Sequence, residues 1–130
     1  MMCDIDGFKK YNDTFGHQAG DKVLLRLADI MRESSRNIDV PARYGGEEFV
    51  VLLPRAGREK AIEVAEKIRA DMENSQMDTG EKVTVSSGVA CYPEDAKNRH
   101  DLVRLADENL YLAKRSGKNR VSAKPVLSEI

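Results

Sequence analysis

Two groups of carboxylates stand out for the chemistry that their type and spacing allow: Asp4 and Asp6 on either side of Ile5, and Glu47 and Glu48 directly after Gly45 and Gly46. Residues two apart share a face only while a chain stays extended, so a turn at Gly7 would separate Asp4 from Asp6 and leave one of them to reach a given ion. Hard oxygen ligands of this kind suit Mg²⁺ or Mn²⁺ rather than zinc. Neither histidine, His17 or His100, has a partner at metal spacing. An acidic pair taken alone reads first as a solvated turn; two such groups, one of them beside paired glycines, favour a metal-assisted site.

The elements that must position these acids follow from periodicity. Met1 to Ile5 reads as the end of a strand, and Phe8, Tyr11 and Phe15 have helical spacing that stops at Gly16. A helix is expected to begin at Gly20-Asp21 and to carry the stripe Val23, Leu24, Leu27, Ala28 and Met31. Val40–Tyr44 and Phe49–Leu53 are strand-like runs joined by Gly45-Gly46-Glu47-Glu48, a hairpin with two acids near its tip. Ala61, Ile62, Ala65, Ile68 and Met72 make another amphipathic helix, and Val83 to Cys91 an extended run ended by Pro93. A last helix carries Leu102, Leu105, Ala106, Leu110 and Ala113 to Gly117, and Val121 opens a short strand. The fold class expected is α/β (α+β), a mostly antiparallel central sheet flanked by helices. Residues 1–123 form one domain, and 124–130 read as a loose tail.

Composition limits the alternatives. A chain of 130 residues supports one core that hides roughly two-thirds of its unfolded surface. With 41% apolar and 33% charged residues, disorder is excluded. A net charge of −1 argues against a protein that holds DNA, RNA or an anionic membrane by bulk electrostatics, so any phosphate must be gripped locally. Cys3 and Cys91 sit in apolar runs as small buried hydrophobes, which fits a reducing, cytoplasmic compartment. No apolar stretch approaches the ~20 residues that span a bilayer, which leaves open a parent protein attached to a membrane elsewhere.

Gly45-Gly46-Glu47-Glu48-Phe49 resembles the motif that names the GGDEF domains, the diguanylate cyclases, in its GGEEF form. Asp4-Ile5-Asp6, Phe8-Lys9, Asn12-Asp13, Gly16-His17 and Gly20-Asp21 also fall where that family has them. So do Val85-Ser86 with Gly88, Tyr92-Pro93, Ala106-Asp107, Leu110-Tyr111, Ala113-Lys114 and Gly117-Lys118-Asn119, and the resemblance spans almost the whole chain. The family's usual N-terminal segment, a helix and a DxLTGLxNR-like stretch, is not seen before Met1.

The resemblance implies a palm-like fold, as in class III nucleotide cyclases and polymerases, and an enzyme that condenses two GTP into cyclic di-GMP. It assigns Asp4, the Ile5 carbonyl and Glu47 to Mg²⁺ (or Mn²⁺), Glu47 also to the general base, and Glu48 to the catalytic group. Asn12 and Asp21 match the guanine-reading positions, where a carboxylate can accept from N1–H and the exocyclic amine; without the resemblance they read as a turn residue and a helix cap. Phe8 and Lys9 lie at a helix start whose free N–H groups suit phosphate, and Lys114 and Lys118 add charge. Lys118 stands where the family often has Arg; lysine keeps the charge but loses the bidentate geometry. Lys114 is equally an ordinary partner for a helix C-terminus.

Arg36-Asn37-Ile38-Asp39 precedes the hairpin where many family members carry an RxxD site for inhibition by their own product. Arg104-Leu105-Ala106-Asp107 has the same form within a helix, where an ion pair on the surface is expected. His17 and Tyr44 match family positions and read as structural. Turnover in the family needs a homodimer, each copy holding one GTP, usually assembled by a sensory domain. The alternative is a catalytically degenerate module that binds GTP or cyclic di-GMP for signalling.

Overall fold

The computed structural model describes residues 1–124. In chain order the elements are β1 (Met2–Ile5), α1 (Phe8–Phe15), α2 (His17–Ser34), β2 (Val40–Gly45), β3 (Glu48–Leu52), α3 (Arg58–Glu73), β4 (Val85–Gly88), α4 (Arg99–Arg115) and β5 (Val121–Ser122). The strands form one sheet in the order β2-β3-β1-β4-β5, antiparallel throughout except for the β4–β5 pair. This is the mostly antiparallel, helix-flanked sheet expected. Of the tail foreseen at 124–130, residues 125–130 lie outside the described residues.

Strand alternation divides the work between two faces. Cys3, Ile5, Phe49, Val51 and Val85 turn to one side and meet Val23, Leu27, Ile30 and Met31 of α2 and Val64, Ala65, Ile68 and Met72 of α3 in the main core. Each large apolar side chain buried there contributes about 1.5–3 kcal/mol. Both cysteines are buried, as anticipated, and desolvation pushes the Cys3 thiol up to about 12, so it stays protonated and inert. The opposite face holds a smaller apolar cluster, Met2, Ala106 and Leu110, with Val50 and Ala90 against it. Helix α4 covers β1, β4 and β5 on this side. The β2–β3 half keeps Val40, Tyr44 and Leu52 exposed.

Several boundaries move for physical reasons. Helix α2 starts at His17, not at Gly20-Asp21, because Gly16 at φ 92° already breaks the chain after α1. Gly20 is therefore a buried helical residue rather than a start signal. The extended run at Val83–Cys91 is regular only over Val85–Gly88. Helix α4 gains its first turn from Asn98, whose side chain accepts from the Asp101 amide at 2.8 Å. Arg104 pairs with Glu108 at 2.8 Å and Asp101 at 3.5 Å, not with Asp107, so the second RxxD pattern is helix-surface spacing. Tyr44 and His17, read as structural, are both exposed.

Sheet and helix approach each other closely at Gly88. A Cβ there would sit 2.2 Å from both the Ala106 carbonyl oxygen and the Leu110 amide nitrogen. Those are backbone atoms of α4, which cannot turn aside as a side chain can. Gly88→Ala should therefore cost about 3 kcal/mol or more of stability, at the upper end of overpacking. Urea unfolding of the two chains measures it, and equal midpoints would show that α4 can lift from the sheet freely.

Candidate active site

The acids of the first strand and of the glycine hairpin meet at one end of the sheet, on the face that carries α4. Asp4 lies opposite Glu48 of β3 and opposite Ser86 of β4 in the strand register. The Ile5 amide donates to the Glu47 carbonyl at 3.4 Å, and the Asp4 and Glu47 carboxyl groups lie near enough to perturb each other's protonation. The hairpin is braced from inside: the Arg43 guanidinium donates to the Gly46 carbonyl at 2.9 and 2.6 Å. A register shift between Arg43 and Gly45 re-aims the turn. From α4, Lys114 extends its Nζ to 3.3 Å from Asp4 and 3.5 Å from Asp6.

One ammonium group among four carboxylates leaves a negative field. Burial raises the Asp4 carboxyl above its ordinary value, although the Lys114 charge works against it. Glu47 is also raised, by burial and then by the Asp4 charge, and Glu48 by burial followed by Asp4 and Asp107. Asp4 Oδ1 is buried with no hydrogen-bond partner among the described residues. An unpartnered buried carboxylate oxygen next to a second carboxylate fits a hard divalent cation. Ile5 can offer only its backbone carbonyl, because its side chain is hydrocarbon and lies in the core. No three His, Cys, Asp or Glu side chains converge on one point among the described residues, so such an ion would complete its shell with backbone and external oxygens.

Asp6 does not join this set. Gly7, at φ 66°, turns the chain directly after it. Its carboxylate instead accepts from Thr84 Oγ1 at 2.8 Å, Ser86 Oγ at 2.7 Å and the Asn119 amide at 3.0 Å. The sequence left open which of the two aspartates could reach an ion; beyond the turn at Gly7, Asp6 is engaged by its neighbours while Asp4 keeps a buried oxygen without a partner among the described residues.

The remaining expected site residues lie on α1, α2 and the end of α4. Helix α1 follows left-handed Gly7 and has no side-chain cap, so its first N–H groups are available; Phe8 is buried there and Lys9 exposed. Asn12 rests against Gly20, where a Cβ would fall 1.7 Å from its Oδ1. That Oδ1 is buried and has no partner among the described residues. Asp21 follows Gly20 with its side chain exposed. Lys118 is exposed and left-handed, φ 64°, in the turn after α4.

Arg36 and Asp39 form a separate feature before β2. Arg36 Nη2 donates to Asp39 Oδ1 and to the Pro54 carbonyl, both at 2.8 Å, and the Arg36 amide donates to Asp39 Oδ2 at 2.7 Å. Burial by itself would raise the Asp39 carboxyl, but the Arg36 hydrogen bonds and charge outweigh it and hold the group below its ordinary value. Residue types alone missed Gly20 as the rest for Asn12, and missed the partners of Asp6: Thr84, Ser86 and Asn119. The signal present was the small polar pair Ser86-Ser87 within an otherwise apolar strand.

The chain matches the family model described as "Diguanylate cyclase, GGDEF domain" over residues 1–120. It is 47% identical over 125 residues to Diguanylate cyclase A of Treponema denticola, covering 94% of this chain and 34% of that protein. It thus spans about a third of the length of that curated relative. The active GGEEF domain of a diguanylate cyclase from Vibrio cholerae superposes with a TM-score of 0.89 at 35% identity, over 94% of this chain and 79% of that one. The GGDEF domain of DgcB from Caulobacter crescentus, solved in complex with c-di-GMP, gives 0.84 at 37% identity, over 94% and 74%. The chain therefore belongs to the GGDEF, or diguanylate cyclase, domain family.

Proposed function

We propose that this domain condenses two molecules of GTP into cyclic di-GMP and releases pyrophosphate. The observation that supports it most is the Asp4–Glu47 pair, two raised carboxyl groups side by side with one buried oxygen lacking a partner. Mg²⁺ or Mn²⁺ held by Asp4, Glu47 and the Ile5 carbonyl would neutralise charge on the triphosphate. Glu47 accepts the proton of the attacking ribose 3′-hydroxyl. That oxygen bonds to the α-phosphorus while the bond to the bridging oxygen of the β-phosphate breaks. Two such steps, one on each nucleotide, close the ring and release two pyrophosphates. Because one domain holds one GTP, turnover requires two copies facing each other.

The chain's own groups share the rest of the work. Glu48, opposite Asp4, deepens the negative field that draws a cation. The uncapped start of α1 at Phe8 and Lys9, together with Lys114 and Lys118, receives the phosphates. Asn12 and Asp21 read the guanine edge, the unpartnered Asn12 Oδ1 serving as an acceptor. Arg36, fixed by Asp39, presents its Nη1 group without a hydrogen bond to the described residues, and forms the inhibitory site for the product. Among the described residues no helix is long and apolar enough to cross a membrane.

Three measurements test this reading. Glu47→Gln preserves size but removes the charge and the base, so cyclic di-GMP formation should fall by about 10²- to 10⁴-fold without a drop in melting temperature. Product analysis by mass spectrometry measures it at high protein concentration with GTP and Mg²⁺, and full activity refutes the assignment. ATP should be turned over at least about 10²-fold less efficiently than GTP, since adenine leaves the Asn12 and Asp21 groups unpaired; equal turnover excludes guanine recognition there. Arg36→Ala should raise the concentration of cyclic di-GMP needed for half inhibition by about tenfold or more. An unchanged inhibition curve in the folded variant removes the site.

A further inference from the structure

We infer that Asp6 is a positioning residue: it fixes the turn that carries Lys118, and the ammonium group of Lys114, so that both meet the triphosphate end of the nucleotide. The inference rests on the functional reading above. It begins from saturation. An ionised carboxylate has about four acceptor sites, and Asp6 faces four donors: Thr84 Oγ1 at 2.8 Å, the Asn119 amide at 3.0 Å, Ser86 Oγ at 2.7 Å and Lys114 Nζ at 3.5 Å. Its side chain is 6% exposed. A carboxylate so occupied and enclosed has little capacity left for an ion, and its partners come from β4, α4 and the turn beyond α4.

That turn needs a restraint. Lys118 and Asn119 are both left-handed, at φ 64° and 48°, which residues with a Cβ adopt only at a cost and only when their surroundings impose it. The Lys118 amide donates to the Ala113 carbonyl at 3.1 Å, and the Asn119 amide to Asp6. The Asn119 side chain then ties the turn to α3: its Oδ1 accepts from Arg69 Nη1 and its Nδ2 donates to Glu73 Oε2, both at 3.0 Å. The path runs from the end of β1 through one loop residue to the far helix. An ordered cationic loop binds its anion without first losing its own freedom. Asp6 therefore acts on the phosphates through Lys114 and Lys118, without touching the substrate.

In the functional reading the base is read at Asn12 on α1 and Asp21 on α2, not by residues of this turn, and that division of labour provides the test. Calorimetric titration of GTP and of GMP, each with Mg²⁺, compares the parent chain with Asp6→Asn and Asn119→Gly. The second variant tolerates the left-handed backbone and keeps the amide bond to Asp6, but loses the tie to α3. Asp6→Asn should weaken GTP binding by about tenfold while GMP binding changes by less than about twofold; Asn119→Gly should show the same selective loss, smaller in size. Unchanged GTP affinity, or a parallel fall for both nucleotides, overturns the inference, because a purely structural acid would not distinguish them. If Asp6→Asn fails to fold, the folded Asn119→Gly chain decides on the same criterion. A parent chain that binds GMP but gains nothing from the two further phosphates overturns the inference. One that binds neither nucleotide overturns the functional reading itself.

Discussion

Holding like charges together at the end of a sheet is the constraint around which this molecule is built. Burial raises Asp4, Glu47 and Glu48, the Asp4 charge raises both glutamates further, and Lys114 reaches Asp4. Carboxylates free to move would separate into water. They stay because β1 is central, paired on both sides, with Cys3 and Ile5 sealed into the main core. Repulsion among fixed acids is a standing cost, and a divalent cation bound by the same oxygens would relieve it. The raised carboxyl groups and the vacant acceptor on Asp4 are two expressions of one arrangement.

The two faces of the sheet contribute differently. The side covered by α2 and α3 buries nearly all the large apolar side chains and supplies stability. The side covered by α4 has a thin apolar cluster and spends its remaining positions on Asp4, Glu48, Ser86 and the glycine that admits the helix. Gly88 thus shapes the candidate site without bearing any functional group. The approach that it permits brings α4, and with it Lys114, down to the level of Asp4. Gly20 serves Asn12 in a similar way, since its missing Cβ is the space in which that side chain lies.

Much of this was legible in the sequence because it depends on local pattern. The hairpin came from two strand-like runs around paired glycines, and the helices from apolar stripes that recur at helical spacing. The pairing of Asp4 with Glu47 was accessible only through the family resemblance, since no spacing rule links positions so distant along the chain. Where local rules misled, tertiary contact had chosen the residue. Gly20-Asp21 has the composition of a helix start, yet the break had already been made at Gly16, and Gly20 is small for the sake of Asn12. Val83 to Cys91 reads as one long strand, but only its middle pairs with β1. Arg104 and Asp107 share a pattern with Arg36 and Asp39, yet helical neighbours three and four residues away compete for Arg104, whereas Asp39 is fully buried with Arg36 closed over it.

Asp4 and Asp6 differ in how far the chain itself satisfies their oxygens. They are two residues apart, on the same strand end and close to the same lysine, so composition and motif treat them alike. What separates them is the balance of donors. Asp6 has two hydroxyls, a backbone amide and an ammonium group around it, and its acceptor capacity is taken up by the chain itself. Asp4 keeps one buried oxygen with none. Filled capacity binds elements of the fold to each other, whereas unfilled capacity in a buried place is a cost that folding alone does not recover, and it is therefore where a ligand from outside the chain gains most.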